Sequence, residues 1–72
     1  MYRFLVVIEK ADSNYSAYAP DLPGCVATGK TLEETERNMH DAIKLHLQGM
    51  QEDGLPIPTP QAHSEYMAVV VP

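Results

Sequence analysis

The run Asp21-Leu22-Pro23-Gly24-Cys25, followed closely by Gly29-Lys30-Thr31-Leu32-Glu33-Glu34, constrains this chain more than any other part of it. Leu22-Pro23-Gly24-Cys25 has the pattern of a type II turn: proline presets φ at the second position, and glycine takes the positive φ required at the third. Cys25 to Thr28 then reads as a short strand stopped by Gly29. Thr31 is a strong helix N-cap, and Glu34 three residues later completes a capping box. Glu33, Glu34 and Glu36 lie near the positive end of the helix dipole, where carboxylates are favoured. A turn, a strand and a helix start therefore follow one another with no room for anything else between them.

The flanking elements follow from hydrophobic period. Residues 2–9 read as a strand with Tyr2, Phe4, Val6 and Ile8 on one face and Leu5 and Val7 on the other. Two apolar faces predict a central strand covered on both sides. Ala11-Asp12-Ser13-Asn14 is a polar turn of the hairpin type. Tyr15 to Ala19 forms a second strand, Tyr15, Ala17 and Ala19 opposite Ser16 and Tyr18, and Pro20 ends it or marks an edge. The helix should run from about 32 to 53, burying a stripe of Leu32, Met39, Ile43, His46, Leu47 and Met50, and stop at Gly54. Ala42 and Gly49 share one flank of the stripe, where something could approach closely, and Leu45 points away from it. Leu55-Pro56-Ile57-Pro58-Thr59-Pro60 has proline at every second position and predicts a stiff, extended connector. Glu65 to Val71 reads as a last strand, apolar on both faces. The order is strand, strand, strand, helix, strand, an α+β arrangement within one domain, 1–72. One helix covers one face of such a sheet; Leu5 and Val7 on the other face need another chain.

Size and charge point the same way. A chain of 72 residues buries only roughly 60% of its unfolded surface and usually needs a staple. The single cysteine, Cys25, excludes an intrachain disulfide, and no Cys/His spacing suits structural zinc. Association is the remaining support. Ten acidic residues against five basic ones give a formal charge of −5, which repels phosphate backbones and suits a basic protein partner better than nucleic acid. The apolar run at 4–8 is too short for a signal core or a membrane span. With one free thiol, this points to the cytoplasm and away from a membrane.

No catalytic constellation is present. Cys25 lies at an apolar strand start with no nucleophile motif around it and reads as a small buried hydrophobe. His40 and His46 are six apart on the helix, about 120° around its axis, so they do not converge as an i, i+4 metal pair would. His46, on the apolar stripe, reads as a partly buried, hydrogen-bonded core residue, and His63 as exposed. Glu9, Asp12, Asp21 and Asp41 could supply a two-metal carboxylate cluster only if an acid projected from a central strand; the centre of the first strand is Leu5-Val6-Val7. Gly24 and Gly29 match no phosphate loop, and the glutamates that follow would repel an anion. The four tyrosines read as sheet packing, because basic residues are too scarce for a base-stacking platform. The expectation is no catalytic residue, no cofactor and no metal.

Tyr15 to Cys25, with Gly29, Thr31, Glu33-Glu34, Asn38 and Asp41-Ala42-Ile43, and then Asp53 to Pro58, resembles the HicB family over nearly the whole chain. The resemblance implies a cut-down ribonuclease-H-like fold: an antiparallel sheet of three strands, one helix and a fourth strand. It implies an antitoxin that blocks a small basic toxin, HicA, which cuts messenger RNA, and a homo-oligomer, dimer or tetramer. Many HicB antitoxins carry a second, DNA-binding domain after the last strand; none is expected within 1–72. The resemblance transfers no catalytic residue. The turn Asp21, Leu22, Pro23, Gly24 and Cys25, with Asp41 on the helix, is the expected partner contact, against the plainer reading that Pro23 and Gly24 serve turn geometry. An oligomeric regulator without a toxin and a residual ribonuclease-H-like nuclease are the rival readings.

Overall fold

The polar turn after Ala11 closes a hairpin in the computed structural model, which describes all residues, 1–72. Ala11 N–H donates to the Asn14 carbonyl at 2.8 Å. The turn joins β1 (Val7–Lys10) to β2 (Tyr15–Tyr18), antiparallel in the register Val7↔Tyr18 to Lys10↔Tyr15. Two tight turns follow: Leu22 N–H donates to Ala19 C=O at 3.0 Å and Cys25 N–H to Leu22 C=O at 3.1 Å. Gly24 takes φ 82°, the left-handed value the Pro-Gly pattern requires. They deliver the chain into β3 (Val26–Gly29), antiparallel to β2, completing a three-stranded sheet of order β1-β2-β3. The helix α1 (Leu32–Glu52) then crosses one face of the sheet.

Both ends of α1 are closed as the sequence specifies. Glu34 N–H donates to Thr31 Oγ1 at 3.0 Å. The Glu34 carboxylate reaches back to the N–H of Lys30 at 3.3 Å, one residue short of the usual capping-box partner. At the other end Gly54 N–H bonds Gln51 C=O and Leu55 N–H bonds Met50 C=O, with Gly54 at φ 69°: a Schellman cap.

The register puts Ile8, Ala17 and Ala27 in one row beneath the helix and Val7, Tyr18 and Val26 in a row on the opposite, uncovered face. Six residues are buried: Ala17, Ala19, Leu22, Cys25, Thr35 and Met39. Only two of them, Leu22 and Met39, are large apolar side chains, so the core of a single chain is thin. Phe4, Val6, Ile8, Ala27, Ala42, Ile43 and Leu47 are half-buried around it.

Several expectations need correction. The first strand pairs only from Val7 and lies at the sheet edge, with β2 in the centre. In this register Leu5 faces Pro20, which has no N–H to give, so residues 2–6 overhang the ladder. Residues 65–71 form no strand within the chain; the segment is exposed and joins no ladder. Cys25 lies before the third strand, which ends at Gly29 as read, but Gly29 is itself its last paired residue, opposite Tyr15. A Cβ there would lie 2.5 Å from Thr35 Oγ1 and 2.8 Å from Thr35 N. The helix stripe begins at Thr35, fully buried with its hydroxyl donating to Thr31 C=O at 2.8 Å, while Leu32 is exposed. Nothing approaches Gly49 closely, and Leu45 points to solvent as read.

Gly29→Ala is expected to destabilise the fold by about 2 kcal/mol, because backbone and not a flexible tip must move. Thr31→Ala should cost about 1 kcal/mol through the lost cap. Urea unfolding followed by circular dichroism checks both.

Candidate functional site

The Pro-Gly turn and the chain after the helix are joined by one carboxylate. Asp21 Oδ2 accepts the backbone N–H groups of Gln61 and Ala62, both at 3.1 Å. This contact spans forty positions and fixes where the proline-rich connector ends. Of the residues expected at a partner surface, Asp21 is half-buried and engaged in this clamp, and the Leu22 and Cys25 side chains lie in the core. Pro23 and Gly24 are exposed on the turn, and Asp41 is exposed on α1 with His40 Nδ1 at 3.7 Å. Sequence reasoning saw Asp21 as a turn residue and missed the clamp, since no local signal links it to residues 61–62.

The larger feature is an open apolar groove of about 730 Å³. Phe4, Val6 and Ile8 form one wall and Met39, Ile43 and Leu47 the other; Arg3, Glu36, His40 and Lys44 are among its lining residues. It exists because α1 packs on β3 and β2 and hardly touches β1. Asn38 Nδ2 donates to Thr28 C=O at 2.8 Å, holding the helix to the β3 side. A second hollow lies between residues 1–6 and the connector at Pro60, Ala62 and His63.

Burial pushes the Cys25 thiol above its ordinary value of 9.0, so the thiolate nucleophile is disfavoured. His46 is half-buried and makes no side-chain hydrogen bond, unlike the bonded core histidine expected; His40 and His63 are exposed. No three His, Cys, Asp or Glu side chains come together in a group that could hold a metal ion. No helix is long and apolar enough to cross a membrane.

These features define a small α+β domain: a three-stranded antiparallel sheet, one helix over two of its strands, and a groove over the third. The model of the HicB-like antitoxins of bacterial toxin–antitoxin systems matches residues 4–70. The chain belongs to that family. It is 37% identical over 62 residues to a 14.9 kDa protein from the rep-hol intergenic region of Haemophilus phage HP1, covering 86% of this chain and 47% of the phage protein. The chain thus spans about half the length of that relative. It is 47% identical over 49 residues, 68% of each chain, to a UPF0150 protein of Helicobacter pylori. Among solved structures it is similar to a chain of a HicA3 and HicB3 toxin–antitoxin complex, with a TM-score of 0.66, 26% identity, and coverage of 82% of this chain and 72% of that one.

Two outcomes check this geometry. Asp21→Ala should leave α1 intact while hydrogen exchange at the Gln61 and Ala62 amides accelerates to that of open chain. The raised Cys25 value makes the native state hold its proton after the unfolded thiol has lost it. The stability from this source is therefore intact below 9.0 and falls as pH rises past it, so urea midpoints should drop more steeply for wild type than for Cys25→Ala between pH 8 and 10.

Proposed function

We propose that the chain is an antitoxin that neutralises a small basic toxin of the HicA type, an enzyme that cuts messenger RNA, by covering it through protein–protein contact in the cytoplasm. The observation that carries this reading is the family match across residues 4–70, joined to likeness with a chain from a HicA3 and HicB3 complex. The formal charge of −5 supports it, because it attracts a basic protein and disfavours RNA or DNA. The raised Cys25 thiol, which disfavours a thiolate nucleophile, agrees with a non-catalytic role. Contact falls on the exposed part of the Pro23-Gly24 turn, backed by Asp21, Leu22 and Cys25 from within, and on Asp41. The fold is read as a ribonuclease-H-like sheet reduced to three strands and a helix, working as a homo-oligomer that supplies the missing strand.

Co-expression with the small basic protein encoded beside its gene tests the function: growth should be restored and the two proteins should co-purify. Persistent toxicity with both proteins present would remove the antitoxin reading. Asp41→Lys should weaken the complex about tenfold, chiefly by slowing association, and flatten its salt dependence, as measured by surface plasmon resonance.

A further inference from the structure

We infer that residues 65–71 are a strand exchanged between two copies of this chain, each tail adding to the free edge of the partner copy's first strand over residues 2–8. This rests on the oligomeric part of the proposed function and is independent of any toxin.

The segment is built as a strand and has nothing to pair with. Val69-Val70-Val71 is β-branched, and Tyr66, Met67 and all three valines are exposed, Val70 at 95%. Beyond Leu55 the backbone makes no hydrogen bond to other backbone, and its amides are held only at Gln61 and Ala62 by Asp21. The whole chain has 32 backbone–backbone hydrogen bonds, where about 48 would be usual for its length. Its radius of gyration is 14.5 Å, against about 11 Å for a compact domain of this size. The tail projects from the body instead of covering it.

The same chain carries the matching acceptor. The β1 edge is free, and residues 2–6 overhang the ladder without a partner. Residues 2–8 and 65–71 are equal in length, and both are apolar on both faces. Such a strand belongs inside a sheet. An added strand beside β1 makes β1 interior and places alternate tail side chains over the groove between Phe4, Val6 and Met39, Ile43. Within one chain the clamp at Gln61 and Ala62 brings the connector beside residues 1–6, yet residues 65–71 run on exposed and pair with no strand. A second copy is the occupant because one chain presents donor and acceptor together, and reciprocal exchange closes with two-fold symmetry and leaves neither unmet. Charge permits it: between Tyr66 and Val71 there is no ionisable acid or base other than the tyrosine, so an acidic chain can dock on its like.

Sedimentation of wild type and Val70→Pro, joined to isotope-filtered NMR on a mixture of labelled and unlabelled wild type, tests the exchange. Wild type should sediment at twice the 8.0 kDa chain mass, and Val70→Pro, with helical circular dichroism retained, at the mass of one chain. Nuclear Overhauser contacts between the valine methyls of one chain and the Phe4 ring of the other should appear in the mixture. A monomeric wild type overturns both this inference and the oligomeric reading, including the case in which the tail docks only on a different protein. An oligomeric wild type that keeps its mass in Val70→Pro, or whose tail contacts arise within one chain, overturns the exchange alone. Should the proline variant unfold, the mixed-label contacts in wild type decide.

Discussion

The helix can lie where it does only because residue 29 has no side chain. Thr35 rests against the β3 backbone at a distance no Cβ would tolerate, its own hydroxyl turned back to the Thr31 carbonyl so that no polar group is buried unpaired. Asn38, one turn further along, ties the same side of the helix to Thr28. These contacts, with the Thr31 cap, draw α1 over β3 and β2. A helix drawn to one side of a three-stranded sheet cannot also cover the other side. The groove over β1 is thus a consequence of the tight contact at Gly29.

That geometry explains which parts of the fold were legible in the sequence. The Pro-Gly turn, the hairpin, the Thr31 cap and the Gly54 stop are local devices: a few adjacent residues determine each, and each lies where the pattern puts it. The inward set of β2, with Ala17 and Ala19 buried, follows from period alone. What the pattern misplaced depends on contacts between distant residues. Gly29 reads as a strand breaker until Thr35 is seen beside it. Thr35 reads as polar surface because its hydrogen bond is made within the helix. The clamp from Asp21 to Gln61 and Ala62 has no signature at either end. The two apolar faces of residues 2–9 read as a central strand, a position the single chain does not give them.

The site was legible chiefly through the pattern from Tyr15 to Cys25 and the helix start that follows it. The family was legible in that pattern: the HicB-like model matches residues 4–70, and the fold is similar to a chain of a HicA3 and HicB3 toxin–antitoxin complex. The turn that carries the family pattern is divided in its duties. Leu22 and Cys25 fill the core and Asp21 holds the connector, while Pro23 and Gly24 alone face outward. A conspicuous motif of this kind can be wanted first for folding.

Charge and apolar surface favour different kinds of contact. The acidic exterior has long-range reach, falls off with salt and suits a basic partner. The tail from Tyr66 to Val71 carries no charge and the groove is apolar along its walls with Arg3, Glu36 and Lys44 among its lining, so contact there would rest on backbone pairing and burial and depend less on salt. On the exchanged-strand proposal, an acidic chain meeting its own copy gains nothing from its net charge, because like charges repel. On that proposal the self-contact falls on Tyr66 to Val71, which carry no charged side chain, while most of the acids that would meet a basic partner lie on the helix and the turns, so the two contacts need not oppose each other.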